Sequence, residues 1–154
     1  MKVIIQIPCL NEEATLPVTL ASLPRRIDGV DEVEVLVVDD GSSDRTAEVA
    51  RQQGVDHLVV LPTHQGLARA FMVGLETSLK LGADIIVNTD ADNQYDARDL
   101  ESLIAPIRQG RADLVIGDRQ VQRLGHFPWL KRKLHRLGDR VMRQLSGLEL
   151  LDST

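Results

Sequence analysis

The sequence predicts an α/β fold, in which helices cover both faces of a mostly parallel central sheet. Five short runs rich in valine and isoleucine fit buried strands, and helical patterns lie between them. Strands that alternate with helices are typical of parallel sheets. The chain has 154 residues, of which 43% are hydrophobic, which is enough for one domain with its own core. Its single cysteine, Cys9, excludes an intramolecular disulfide.

The elements can be assigned in chain order. Strands are predicted at residues 2–7, 33–38, 57–61, 84–88 and 113–116, and helices at residues 12–23, 44–54, 67–79 and 97–110. Pro17 and two glutamates fall near the first turn of the first helix, where such residues are favoured. Asp44 can cap the start of the second helix and Gly54 its end.

Polar or glycine-rich segments follow every predicted strand. In chain order they are PCLNEE, DDGSSD, PTHQGLAR, TDADNQ and GDRQ. Ligands of parallel α/β sheets bind beside the carboxyl ends of the strands. The sequence therefore predicts a functional site formed by these loops.

Two acidic residues after the strand at 84–88 predict a cation site. In the stretch VNTDADNQYD, Asp90 and Asp92 point to the same side of an extended chain, because side chains alternate. Two carboxylates that face one way repel unless a cation lies between them, and Mg²⁺ or Mn²⁺ prefers such oxygen ligands. A tight acidic turn without a metal is the alternative. Asp96 precedes the next predicted helix and is expected to cap it.

The stretch VVDDGSSDRT places a second acidic pair at a strand end. Gly41 permits a sharp turn, and Ser43 or Asp44 can cap the helix that follows. Capping leaves Asp39 unexplained, and its carboxylate can accept hydrogen bonds from a ribose or a base. The alternative is half of a phospho-acceptor pocket, as in receiver domains, although their paired acids follow the first strand and these follow the second.

Four motifs in register carry a resemblance to a known family. The segments IPCLNEEATLP, VVDDGSSDRT, DADNQY and ADLVIGDR resemble those of glycosyltransferase family 2, and the similarity is closest to polyprenyl-phosphate sugar transferases such as dolichol-phosphate mannosyltransferase. The resemblance implies the Rossmann-like GT-A fold of nucleotide-diphospho-sugar transferases. It also implies inverting, metal-dependent transfer of a sugar from a GDP- or UDP-linked donor to a polyprenyl phosphate or another acceptor.

The resemblance implies roles for residues at matching positions. The nucleotide would be bound by Pro8, Asn11, Glu12, Asp39, Asp40, Gly66, Arg69 and Asp90. Asp90 and Asp92 would hold the Mg²⁺ or Mn²⁺ that bridges the donor diphosphate, with Gln94 as a further ligand. Arg119 would face the acceptor phosphate. The family commonly has a lysine where this chain has Leu67, and Arg69 is the candidate substitute.

The type of acceptor decides whether a general base is needed. A hydroxyl acceptor would need one, and Asp118 is the candidate. A polyprenyl phosphate would not, because a phosphate monoester with a second pKa of about 6 is mostly ionised at neutral pH. Arginine and lysine side chains would then matter more, since they position the anion.

Positive charge is concentrated at the C-terminal end. Residues 119–154 hold eight basic and three acidic residues, whereas the first 118 residues hold 10 basic and 20 acidic ones. Within residues 126–145, aromatic and leucine side chains accompany basic ones such as Lys131 and Arg132, a pattern that suits a membrane interface with anionic lipid. In the alternative arrangement the leucines pack on the sheet and the charges face water.

These observations give one domain with two parts. Residues 1–118 are predicted to form the nucleotide-sugar and metal-binding core, and residues 119–154 a basic acceptor-side segment that is truncated at its C-terminus. No apolar run approaches the ~18 residues of a membrane span, so we expect a cytoplasmic protein, or one at the cytoplasmic face of the membrane, without a nucleic-acid partner. The alternative function is a nucleotide-binding or phospho-receiver-like module that lacks transferase activity.

Overall fold

The computed structural model describes residues 1–92 and 99–117. The chain divides into two compact units, Met1–Asp113 and Leu114–Thr154. The described elements all belong to the first unit and are, in chain order, β1 (Lys2–Cys9), α1 (Leu16–Ser22), β2 (Glu32–Asp39), α2 (Thr46–Gln52), β3 (His57–Val60), α3 (Leu67–Lys80), β4 (Ile85–Asn88) and α4 (Asp99–Arg108). The first four predicted strands are thus confirmed, with ends that differ by one or two residues.

The four strands form one parallel sheet in the order β3-β2-β1-β4. β1 pairs with β2 from Lys2 opposite Glu32 to Cys9 opposite Asp39, and with β4 on its other side. The chain therefore builds the sheet outward from β1 through β2 to β3, and then returns to add β4 beside β1. Such a reversal of strand order leaves a crevice at the carboxyl ends of the strands, where ligands of α/β proteins bind.

Helices cover both faces of this sheet, as predicted. Alternate residues of β1 point to opposite faces. Val3, Ile5 and Ile7 join a buried cluster that includes residues of α1, α2 and α4, whereas Ile4 joins a second cluster that includes Ala70 of α3. A strand whose two faces are both covered by helices carries mostly apolar side chains on each face. This explains why the strand sequences read as nearly continuous apolar runs.

The packing of α3 on the sheet depends on a glycine. Gln6 of β1 is fully buried and donates a hydrogen bond from Nε2 to Oδ1 of Asn88, 3.0 Å away on β4. A Cβ atom at Gly74 would lie 2.3 Å from Oε1 of Gln6. The helix can approach the centre of the sheet this closely because Gly74 has no side chain.

The predicted strand at residues 113–116 is wrong. Residues 114–117 have no regular secondary structure, and Leu114 and Ile116 are about three-quarters exposed, at 76% and 74%. A strand exists only where a neighbour pairs with its backbone, and a short apolar run cannot specify that neighbour.

The first helix begins later than predicted, at Leu16, and no acidic residue lies in its first turn. The residues before it contact the start of α2 instead: the Glu12 N–H donates to Oγ1 of Thr46, the first residue of α2, over 2.8 Å. Pro17 does lie in the first turn, as expected.

No helix in the described part of the chain combines the length and the hydrophobicity that crossing a membrane requires.

Candidate active site

A cleft of about 330 Å³ lies at the carboxyl ends of the strands, where the sequence predicted a site. Its lining comes from the end of β1, from the loops after all four strands and from the start of α3: Pro8, Cys9, Leu10, Glu12, Asp40, His64, Leu67, Ala70, Asp90, Ala91 and Asp92. The volume is at the lower end of the range that small-molecule sites occupy.

The cleft is strongly acidic. Glu12, Asp40, Asp90 and Asp92 supply four carboxyl groups, and the described lining residues include no lysine or arginine. His64 is the one side chain among them that can become cationic. Negatively charged ligands would be repelled by this surface unless a cation accompanied them.

Asp40 organises the loop between β3 and α3. Its carboxylate is 3% exposed and accepts hydrogen bonds from the N–H groups of Gln65 and Gly66, each over 2.8 Å, and one from Nδ1 of His64 over 2.7 Å. Burial by itself would raise the pKa of Asp40, but these hydrogen bonds outweigh it and hold the pKa below the ordinary value of 3.8. An ionised carboxylate only accepts hydrogen bonds, so His64 carries its proton on Nδ1 and keeps Nε2 available to a ligand.

Gly41 allows the loops after β2 and β3 to touch. Its φ angle is +69°, a conformation that L side chains rarely adopt, and a Cβ atom there would lie 2.4 Å from the carbonyl carbon of Thr63. The sharp turn that the sequence predicted is therefore present. The glycine permits both the change of chain direction and the close approach of the Gly41 and Thr63 backbones.

Asp39 lies beneath the turn that follows it. The residue is 2% exposed, and its Oδ1 atom accepts hydrogen bonds from the Ser42 N–H, 3.0 Å away, and from the Ser42 hydroxyl. Asp39 does not line the cleft. The observed role is to hold the turn after β2, and the contact to a base or ribose stays a prediction.

Asn11 connects the loops after β1 and β2. Its N–H donates to the Ser42 hydroxyl over 2.9 Å, and its Oδ1 accepts from the Ser43 N–H over 2.9 Å. The φ angle of Asn11 is +56°, which asparagine tolerates better than most residues. These bonds fix the position of the chain just before Glu12 enters the cleft.

Asp44 links the start of α2 to the loop after β1. Its carboxylate accepts from the Thr46 N–H over 2.9 Å and from the Glu13 N–H over 3.1 Å. Arg45 occupies the N-cap position of α2 and makes no side-chain capping bond, so the predicted cap is wrong, although Asp44 does bond the first residue of the helix. Burial acts to raise the pKa of Asp44, but the bonds from Thr46 and Glu13 lower it below the ordinary value of 3.8.

The turn after β4 carries the predicted metal ligands, and Asp90 and Asp92 both face the cleft. Within residues 1–92 and 99–117, no cluster of three or more histidine, cysteine or acidic side chains is arranged to hold a metal ion. Two carboxylates fit Mg²⁺ or Mn²⁺ even so, because these ions commonly take one or two protein carboxylates and complete their shell with water and phosphate oxygens. The remaining predicted ligand, Gln94, and the predicted cap Asp96 lie outside the described residues.

The predicted site residues fall into three groups. Those that line the cleft are Pro8, Glu12, Asp40, Asp90 and Asp92. Those in the described part of the chain that do not line it are Asn11, Asp39, Gly66 and the exposed Arg69. Asp118, Arg119, Lys131 and Arg132 lie outside the described residues, as does the whole segment 126–145.

Sequence reasoning missed one residue that contacts the acidic turn. Thr19 of α1 is 3% exposed and donates a hydrogen bond to the carbonyl oxygen of Ala91, 2.8 Å away. In the sequence, Thr19 is a threonine inside a predicted helix. That pattern does not distinguish a threonine that bonds to another element from one that faces water or its own helix.

Cys9 is a structural thiol rather than a reactive one. It is 3% exposed, and burial raises the pKa of its thiol far above the usual range. A thiol that stays protonated is a poor nucleophile.

Comparisons with known proteins agree with these observations. The model for glycosyl transferase family 2 matches residues 4–152. An undecaprenyl-phosphate mannosyltransferase from Micrococcus luteus is 35% identical over all of this chain, which covers 64% of that protein. A polyprenol monophosphomannose synthase from Mycolicibacterium smegmatis is 29% identical over 99% of this chain and 59% of its own length. The chain thus spans about three-fifths of each relative.

A solved structure matches the fold. Glucosyl-3-phosphoglycerate synthase from Mycobacterium tuberculosis, in complex with Mn²⁺, uridine diphosphate and glucosyl-3-phosphoglycerate, superposes with a TM-score of 0.57 and 29% identity over 69% of this chain and 39% of that one. That enzyme has the GT-A fold. The predicted fold class is therefore confirmed.

Proposed function

This chain belongs to glycosyl transferase family 2, as its motifs predicted, and on that premise we propose that it takes part in metal-dependent, inverting sugar transfer. The donor would be a GDP- or UDP-linked sugar, and the acceptor a polyprenyl phosphate. Two relatives support this acceptor, because their names specify undecaprenyl phosphate and a polyprenol. The structural neighbour supports the donor class, since it was solved with Mn²⁺ and uridine diphosphate.

The acidity of the cleft is the observation that carries the proposal. Four carboxyl groups line it, and the described lining contains no lysine or arginine. A nucleoside diphosphate is itself an anion, so it needs a cation to enter such a cleft. Asp90 and Asp92 are the residues that would hold Mg²⁺ or Mn²⁺ there, with Gln94 as a further ligand. The bound ion would supply positive charge to the diphosphate as it leaves the sugar.

The remaining roles follow from the arrangement of the loops. Pro8, at the end of β1, and Glu12, in the loop after it, line the cleft and would contact the nucleoside. The Asp40 carboxylate fixes the loop at Gly66, so that His64 and the start of α3 hold one wall of the cleft. Preorganised groups of this kind position the donor without reorganising during the reaction.

Inversion follows when the acceptor oxygen attacks the anomeric carbon from the face opposite the diphosphate. One carbon–oxygen bond forms as the other breaks, and the electron pair leaves with the diphosphate. A phosphate acceptor would be positioned by Arg119 and needs no base. Asp118 would serve as the base for a hydroxyl acceptor.

The basic segment would bring the acceptor side to a membrane. Lys131, Arg132 and the aromatic residues within 126–145 are expected to bind an interface that contains anionic lipid. Flotation of the 154-residue chain with liposomes checks this: binding that requires anionic lipid and weakens in high salt is expected. Absence of binding to such liposomes would contradict the membrane contact.

Calorimetric titration of the 154-residue chain with GDP and UDP, with and without Mn²⁺, tests the proposal. We expect one nucleotide to bind in a Mn²⁺-dependent manner and Asp92→Ala to abolish that dependence, because it removes a ligand oxygen. Asp84→Ala is the matched control. Asp84 lies at the other end of β4 and is largely exposed, so this variant should bind as the wild type does.

Two results would count against the proposal. Binding of both nucleotides without any Mn²⁺ dependence would favour a nucleotide-binding module that lacks transferase activity. Product with the same anomeric configuration as the donor, measured by NMR after incubation with a nucleotide sugar and a polyprenyl phosphate, would contradict inversion.

A further inference from the structure

The hydroxyl of Thr19 links α1 to the acidic turn after β4. Its Oγ1 atom lies 2.8 Å from the carbonyl oxygen of Ala91 and 3.3 Å from that of Thr15, one turn earlier in the chain. A hydroxyl has one proton to donate. The shorter distance indicates that the proton goes mainly to Ala91, although a threonine in a helix commonly bonds back to its own helix.

Ala91 separates the two residues proposed to bind the metal. β4 ends at Asn88, and the Thr89 N–H extends the backbone pairing by one residue through a 3.1 Å bond to the Gln6 carbonyl. Two residues farther on, the Thr19 hydroxyl contacts the chain from a different element. The peptide between Asp90 and Asp92 is thereby held from the α1 side of the sheet.

Burial reinforces this contact. Thr19 and Ala91 are each 3% exposed, and Ala91 belongs to the same buried cluster as Leu16 and Leu20 of α1. Water has little access to the Ala91 carbonyl, so the threonine hydroxyl is not readily replaced as its donor. A buried hydrogen bond between two packed elements restricts both the position and the rotation of the peptide plane that it holds.

We propose that Thr19 is a positioning residue for the metal-binding pair, acting through the Ala91 carbonyl to set the separation and direction of the Asp90 and Asp92 carboxylates. This inference rests on the proposed function. Thr19 touches neither donor nor metal; it restricts the backbone that carries the two ligands. Partners of metal ligands commonly act in this way, and their loss typically lowers metal affinity by about 10- to 100-fold.

The experiment measures Mn²⁺ affinity of the 154-residue chain in the presence of UDP and, separately, of GDP. Electron paramagnetic resonance reports the free Mn²⁺ ion and needs no catalytic turnover. Thr19→Val keeps the shape of the side chain and removes the hydroxyl, and we expect it to weaken Mn²⁺ binding by about 10- to 100-fold. Thr19→Ser keeps the hydroxyl and should bind Mn²⁺ nearly as well as the wild type.

Thr77→Val is the matched control. Thr77 also donates a hydroxyl hydrogen bond, over 2.7 Å to the Val73 carbonyl, but that bond lies within α3. Its loss should leave Mn²⁺ affinity unchanged. Circular dichroism melting confirms that each variant is folded, and Thr19→Ala, which also lacks the hydroxyl, provides a second comparison if Thr19→Val does not fold.

Each outcome has a distinct meaning. If the wild type shows no Mn²⁺-dependent nucleotide binding, the proposed function is what fails. If the wild type binds and a folded variant without the Thr19 hydroxyl binds Mn²⁺ equally well, the inference alone is overturned. It is also overturned if Thr19→Ser loses as much affinity as Thr19→Val, because the hydroxyl would then not be the cause.

Discussion

The buried carboxylate of Asp40 holds the ring of His64 at 2.7 Å, across 24 residues of sequence. The same carboxylate accepts the N–H groups of Gln65 and Gly66. One side chain at the end of β2 thus determines the shape of the loop that leads into α3. This loop forms one wall of the acidic cleft.

Asp40→Asn is expected to destabilise the protein by about 1–3 kcal/mol, the usual cost of leaving buried donors without an acceptor. An asparagine amide presents only one accepting oxygen, whereas the carboxylate accepts three hydrogen bonds through two oxygens. Urea unfolding at pH 7 measures the change. His64→Ala removes only the ring contact and should cost less, and an Asp40→Asn protein as stable as the wild type would contradict the role assigned to Asp40.

Gly41→Ala should weaken nucleotide binding, because the new Cβ atom would push apart the loops after β2 and β3. Gly54→Ala separates this effect from backbone strain. Gly54 has a similar φ angle of +67°, but a Cβ atom there would have no neighbour within 4 Å. Both variants should lose about 1–2 kcal/mol of stability from the left-handed conformation. Only Gly41→Ala should lose affinity in calorimetry, and equal affinities for the two variants would contradict the steric argument.

Leu67→Lys should strengthen binding of a nucleoside diphosphate. Leu67 lines the cleft at the first residue of α3 and is 67% exposed, so an ammonium group there could reach a bound anion. At that exposure we expect a gain of about 1 kcal/mol, or roughly fivefold in affinity, that decreases in high salt.

Leu79→Lys is the control for this gain. Leu79 lies near the other end of α3 and is 65% exposed, so the variant adds the same charge on the same helix, away from the cleft. Calorimetry at two salt concentrations compares the variants. An equal gain from Leu79→Lys would show that net charge alone is responsible.

The stability contributed by Asp44 should depend on pH in a defined direction. Its pKa is lower in the folded protein than the ordinary 3.8, so below neutral pH the unfolded state takes up the proton first. The contribution is fully present above pH 3.8 and is lost as the pH falls through the lower folded-state value. The difference in unfolding free energy between the wild type and Asp44→Asn should therefore be largest near pH 7 and shrink toward pH 3. Urea unfolding across this range checks it, and a difference that does not change with pH would contradict the linkage.

Much of the fold could be predicted because its signals are local. The apolar runs of β1 and β2 and the helical spacing of α3 each lie within one short segment. The run at 113–116 shows the limit of such signals, since its three apolar residues predict burial and cannot specify a neighbouring strand. The helix that was expected from residue 12 shows the same limit, because Glu12 and Glu13 contact Thr46 and Arg45 at the start of α2 instead.

By itself the sequence determined the α/β class, the family, and the loops that would carry the site, because the order of strands and the motifs after them are properties of the linear chain. Three contacts were decided by the tertiary structure alone. The Asp40 carboxylate accepts a hydrogen bond from the Gly66 N–H, and the Asp39 carboxylate accepts one from Ser42 in the turn that follows it. The Thr19 hydroxyl donates to the Ala91 carbonyl, 72 residues away in the sequence. Hydrogen bonds between distant residues depend on how the helices pack on the sheet, and packing is set by the whole core at once.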